Sequence, residues 1–113
     1  MILSVEDKNA MLQGLADRLN IGTDTILTIY IGADSAAVFD MPNPIDASIT
    51  GGVIAFNLPT KVLATKSGLP TTAKLTNSAG SDITFDVGSE IALDKPEIYA
   101  GGYVSLSSLT ITI

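Results

Sequence analysis

The chain has 113 residues, 46% of them hydrophobic and 16% charged, with a formal net charge of −6 and no histidine, cysteine or tryptophan. The length fits one domain, and the composition is far from the low-hydrophobicity, high-charge signature of disorder. The absent residue types exclude disulfides, thiolate chemistry, Cys- or His-ligated metals and the Ser-His-Asp and Cys-His nucleophile systems.

Met1-Ile2-Leu3 is too short for the apolar core of a signal peptide and has no basic region ahead of it, so secretion is not expected. Residues 5 to 19 carry a helical pattern. Ser4 stands at the N-cap position, Glu6 and Asp7 suit the positive end of the dipole, and Gly22 offers a stop after Asn20. Met11, Leu12, Leu15, Ala16 and Leu19 recur at three- and four-residue spacing and predict one apolar stripe, covered first of all by the domain's own sheet.

From Thr25 the period changes to two. Thr25 to Ile31 places Leu27, Ile29 and Ile31 on one face and Ile26, Thr28 and Tyr30 on the other. Ser35 to Met41 predicts a second strand, closed by Pro42 and Pro44, after which a loop is expected. Val53 to Leu58 and Lys61 to Thr65 follow, separated by Pro59. Thr71 to Thr76 and Asp82 to Val87 read as a hairpin through Asn77-Ser78-Ala79-Gly80-Ser81, and Glu90 to Leu93 is a short strand before the break at Pro96. About eight short strands with turn signals between them predict a mainly β fold, an antiparallel sandwich or jelly roll with one N-terminal helix, forming a single domain over 1–113. No apolar run approaches the roughly 20 residues of a membrane-spanning helix, and a soluble protein without membrane contact is expected.

The last run, Tyr103 to Ile113, has no charged side chain and no proline, so as an open edge it would invite edge-to-edge pairing. It is read as a central strand of the domain's own sheet. In the alternative, a neighbouring subunit covers its end, and Tyr103, Val104, Leu106, Leu109, Ile111 and Ile113 form an interface.

The six basic residues, Lys8, Arg18, Lys61, Lys66, Lys74 and Lys95, are scattered among twelve acidic ones, which disfavours nucleic acid as a partner. Asp82, Asp86, Glu90, Asp94 and Glu97 lie close together in the chain but lack the spacing of a calcium loop, and are read as a solvated acidic face. Paired carboxylates can cleave a glycosidic bond across a cleft, yet only 5% of the residues are aromatic, which leaves little to hold a sugar. Gly51-Gly52 and Gly101-Gly102 lack the lysine and helix of a phosphate-binding loop, and Lys66 beside Ser67 is no dyad, since neighbouring strand residues point to opposite faces. No enzyme, cofactor or metal is expected.

Four blocks of the chain look familiar together: Lys8 to Leu12, Leu27 to Gly32, Ala73 to Gly80 and Ala100 to Ile111. Their order and spacing resemble a group of small virion structural proteins of tailed bacteriophages and prophages, with Ser35 to Thr50 departing most from the pattern. The resemblance implies a component of the virion, assembled in the bacterial host cytoplasm. Within that class it implies first a capsid decoration or cement protein, a dimer or trimer bound to the major capsid protein or another virion protein. A tail, neck or fibre-associated protein is the alternative within the class. A carbohydrate- or peptide-binding β module is the alternative outside it, and exposed aromatics around a groove would favour that reading, whereas a flat apolar patch would favour assembly.

Overall fold

The computed structural model describes all residues from Met1 to Ile113. Helix α1 spans Val5–Leu19, and its first turn is closed by the Ser4 hydroxyl, which accepts the Asp7 amide at 3.1 Å. Leu12, Ala16 and Leu19 are buried and Leu15 packs against them. Met11 does not join this stripe and stands 54% exposed. At 3.6 residues per turn it lies about a quarter turn from the line that Leu12, Ala16 and Leu19 define.

Ten strands follow: β1 (Ile26–Ile31), β2 (Asp34–Asp40), β3 (Asp46–Thr50), β4 (Val53–Phe56), β5 (Val62–Leu63), β6 (Thr72–Thr76), β7 (Asp82–Asp86), β8 (Ile91–Leu93), β9 (Tyr103–Val104) and β10 (Leu106–Thr112). They form two four-stranded antiparallel sheets, ordered β2-β1-β6-β7 and β3-β4-β10-β8, with β5 and β9 paired as a short ribbon. The fold is mainly β, compatible with the expected sandwich.

In the first sheet Leu27 lies between Phe39 and Leu75, and Ile29 between Ala37 and Ala73, so the buried face repeats every second residue. The second sheet contributes Ile54, Phe56, Ile91 and Leu109, and α1 packs over β3 and β4. All of these side chains belong to one continuous core of 21 buried residues. At about 25 cal/mol per Å² of apolar surface removed from water, this contiguous burial is the main term stabilising the fold.

The hairpin from β6 to β7 docks on the end of the helix. Arg18 Nη2 donates to the Ala79 carbonyl at 2.7 Å, and Asn77 Nδ2 returns a bond to the Arg18 carbonyl at 3.2 Å. Asp24 Oδ2 accepts the Ser78 amide at 3.0 Å. Hydrogen bonding from the Ser78 side chain, and then from its amide, holds the Asp24 carboxyl below its ordinary range.

Two expectations are corrected. The stretch after Pro44 is not only a loop, because Asp46–Thr50 pairs with β4 as the edge of the second sheet. The two prolines end before Ile45, whose amide is bound by Asn20 Oδ1 at 2.7 Å while its carbonyl accepts the Asn57 amide at 2.8 Å, so the chain re-enters the sheet. The run from Tyr103 to Ile113 is not one strand either. It divides at Ser105, with β9 paired to β5 and β10 in the second sheet, paired to β8 through its first half and to β4 through its second.

Candidate functional site

Residues 62–70 and 96–104 run antiparallel as an irregular ribbon along one side of the molecule. Val62 pairs with Val104 and Leu63 with Tyr103. Beyond them the Ala64 amide reaches the Gly102 carbonyl at 2.9 Å, and the Gly101 amide reaches the Ala64 carbonyl at 2.8 Å. The Ser67 hydroxyl accepts the Ala100 amide at 2.8 Å, and Gly68 and Ile98 exchange bonds at 2.8 and 2.9 Å. The ribbon is fixed to the edge of the first sheet by the Thr65 amide, 2.8 Å from the Ala36 carbonyl. Ala64, Ile98 and Val104 anchor it in the core.

A tight turn crosses the ribbon, with the Gly102 amide 2.8 Å from the Tyr99 carbonyl. Gly101 has φ +81°, a conformation that side-chain-bearing residues rarely adopt. A Cβ on Gly102 would stand 3.1 Å from the Tyr99 carbonyl oxygen, tighter than an ordinary contact, so the turn itself favours glycine at both positions. This accounts for the Gly101-Gly102 pair without a phosphate.

On this frame four large side chains face solvent: Leu63, Leu69, Tyr99 (62% exposed) and Tyr103 (58% exposed). Lys61 Nζ lies 4.4 Å from the centroid of the Tyr103 ring, within cation–π range. The Tyr99 hydroxyl donates to Glu97 Oε2 at 3.0 Å, and that bond together with the carboxylate's charge raises the phenol's pKa. The ribbon thus holds an amphipathic aromatic surface in a fixed register.

Beyond Gly68 the ribbon borders a groove of about 380 Å³, lined by Leu69, Pro70, Val87, Ile91, Leu93 and Pro96, with Gly88, Ala92 and Lys95 completing the wall. Neither Tyr99 nor Tyr103 lines it.

The residues singled out in the sequence fall into two sets. Val104, Leu106 and Leu109 are core residues, at most 6% exposed, and Ile111 packs against that core. Of the six-residue interface set, only Tyr103 and Ile113 present a surface, because the strand alternates and its apolar side faces inward. The acidic run serves as local acceptors: Glu90 Oε1 takes the Asp86 amide at 3.0 Å, and Asp94 Oδ1 takes the Ser105 amide at 3.4 Å. No three carboxylates converge as a metal site requires. The Ser67 hydroxyl is engaged by the Ala100 amide rather than by Lys66.

Leu63, Lys61 and Tyr99 were not anticipated as parts of one surface. Their one sequence signal is that Tyr99 and Tyr103 flank a double glycine. No protein-family model, curated protein or solved structure matches this chain, so the functional reading rests on its own residues.

Proposed function

We propose that this protein is a bacteriophage virion structural protein, most concretely a capsid decoration protein, that works by protein–protein contact and turns over no substrate. The observation that carries the reading is the aromatic surface of Leu63, Tyr99 and Tyr103, held rigidly by paired backbone and lying off the groove. Exposed tyrosines with apolar neighbours are the anchors that protein interfaces favour, because they bury much area while fixing few rotatable bonds. A sugar-binding module would be better supported by tyrosines lining a groove, and here the groove has none. The resemblance to phage virion proteins supplies the partner class, the major capsid protein or a neighbouring virion protein. The net charge of −6 suits the outer side of a shell, away from a packaged genome of the same sign.

The test is to mix the purified protein with expanded shells that lack it and to read occupancy by electron microscopy. Density at discrete, symmetry-related sites is expected, and Tyr99→Ala with Tyr103→Ala should abolish it. Binding to tails alone would replace the decoration reading with a tail or fibre role. Binding to neither would remove the virion reading altogether.

A further inference from the structure

Helix α1 buries one side and carries a second pattern on the other. Asp7, Met11, Gly14 and Arg18 follow one another at spacings of four, three and four, the repeat with which helices pack side by side. At 3.6 residues per turn the four lie within about 30° of a common line, on the side away from Leu12, Ala16 and Leu19. All four are exposed. Met11, at 54%, is the largest apolar side chain that the helix leaves uncovered.

Gly14 stands in the middle of this helix, where glycine is the least favourable residue after proline. A Cβ there would meet nothing within 4 Å, so no neighbour in the chain requires the glycine. The missing side chain leaves a notch in the seam, with the exposed Ala10 on its margin.

We infer that two copies of this chain pair through the seam, α1 against α1, antiparallel about a two-fold axis. Set that way, Met11 of each copy stands over Gly14 of the other, and Asp7 of each faces Arg18 of the other. The occupant is a second copy because the seam is its own complement. Its order is acid, knob, notch and base, and reversal sets every member against its opposite. A parallel pair would instead put Met11 on Met11 and Asp7 on Asp7. The antiparallel sense also brings the positive end of each helix dipole to the negative end of the other. Arg18 gives one N–H to the Ala79 carbonyl, which holds the guanidinium at the end of the seam and leaves further donors for a carboxylate. Glu6 and Asp17 lie a quarter turn or more to one side, at the wet margin, where charge pairs contribute little either way. The Asp17 carboxylate there accepts Gln13 Nε2 at 2.9 Å.

One short helix from each copy makes a contact below the size of stable interfaces. The dimer is therefore weak, forms at high local concentration, and leaves the chain monomeric at the micromolar concentrations of a denaturation experiment. The inference goes beyond the contact with a shell and does not depend on it, since the tyrosines stand on the ribbon and not on α1.

Sedimentation equilibrium on the purified chain, from micromolar to millimolar concentration, should show mass rising toward that of a dimer and no further. Asp7→Arg and Arg18→Glu should each weaken the dimer by about tenfold, because each turns two facing pairs from opposite to like charge. An equimolar mixture of the two should recover it, since each then supplies the charge that the other faces. Gly14→Leu fills the notch and should abolish the rise in mass while circular dichroism shows the helix intact. In the wild-type chain, the Met11 methyl and Gly14 amide signals should shift with concentration. A sample mixing labelled and unlabelled copies should show Met11 of one copy against Gly14 of the other, a readout that needs no variant. Constant mass up to millimolar concentration, shifts confined to other parts of the chain, association that survives Gly14→Leu, or folded charge variants that do not rescue each other would overturn the inference. Failure of the shell experiment leaves this result untouched, because the purified chain alone is measured.

Discussion

Tyr99 and Glu97 are two residues apart on an exposed turn, and their side-chain bond of 3.0 Å is the polar fastening of the aromatic surface. The neutral phenol donates and the carboxylate accepts, so ionising the phenol breaks the bond and sets two like charges together. The folded pKa is therefore raised above the ordinary value of 10.0. Whatever stability the pair contributes is fully present below that ordinary value and is lost as pH rises through the folded pKa. Glu97→Gln should bring the Tyr99 titration back toward its ordinary value, read from tyrosinate absorbance against the signals of the other two tyrosines. An unchanged curve would mean that the carboxylate does not govern the phenol. A different residue carries the opposite kind of imbalance: the Ser81 hydroxyl is buried and has no hydrogen-bond partner. An unsatisfied buried hydroxyl costs about 1–3 kcal/mol, while its amide is already served by Asn77 Oδ1 at 3.0 Å. Ser81→Ala should therefore raise stability by about 1 kcal/mol, seen as a higher urea midpoint at unchanged slope.

Elements differ in how openly the chain announces them. Helix α1 was legible because its cap, its charges and its stripe are local and agree, and only the direction of Met11 was misjudged. Leu12→Ala should cost roughly 2–5 kcal/mol by leaving a cavity, whereas Met11→Ala should stay within about 0.5 kcal/mol. Equal losses in chemical denaturation would show that Met11 is covered in solution. Strand β1 and the β6–β7 hairpin were equally legible, through strict alternation and a glycine-bearing turn. Strand β3 was not, since Asp46-Ala47-Ser48-Ile49-Thr50 has a single large apolar residue, as an edge strand with one shielded face permits. The ribbon depends at one point on a backbone that only glycine adopts readily. Gly68 has φ +147°, and a Cβ there would stand 3.0 Å from Ile31 Cγ2. Both of its backbone bonds go to Ile98, so the segment has little room to relax. Gly68→Ala should destabilise by about 1–3 kcal/mol, measured by thermal melting against Gly14→Ala, whose Cβ would meet nothing within 4 Å.

At the scale of the whole molecule, the mainly β class was readable from the spacing of short alternating runs, but the candidate site was not. Lys61 and Leu63 meet Tyr103 only because residues 62–70 pair with 96–104, and no local pattern encodes that partnership. Tyr103 was singled out, but in the company of Val104, Leu106 and Leu109, whose side chains turn inward on β9 and β10, and the division at Ser105 is concealed by a run without charge or proline. Amide exchange offers a check on the joint between ribbon and sheet. The Thr65 amide, bonded to Ala36, should exchange as slowly as those of β2, and rapid exchange would detach the ribbon from the first sheet. The order of the strands also has a kinetic meaning. The first sheet draws on residues 26–86 alone and can register as soon as that stretch is available, whereas the second stays in pieces until residues 106–112 arrive, because Ala55 pairs with Thr110 and Ile91 with Leu109. Until then β4 has only β3 beside it, and the inner face of the second sheet is unfinished. A nascent chain would thus hold one assembled sheet with its apolar side bare, which makes the interval before residue 106 the time at which it most needs shelter from its neighbours.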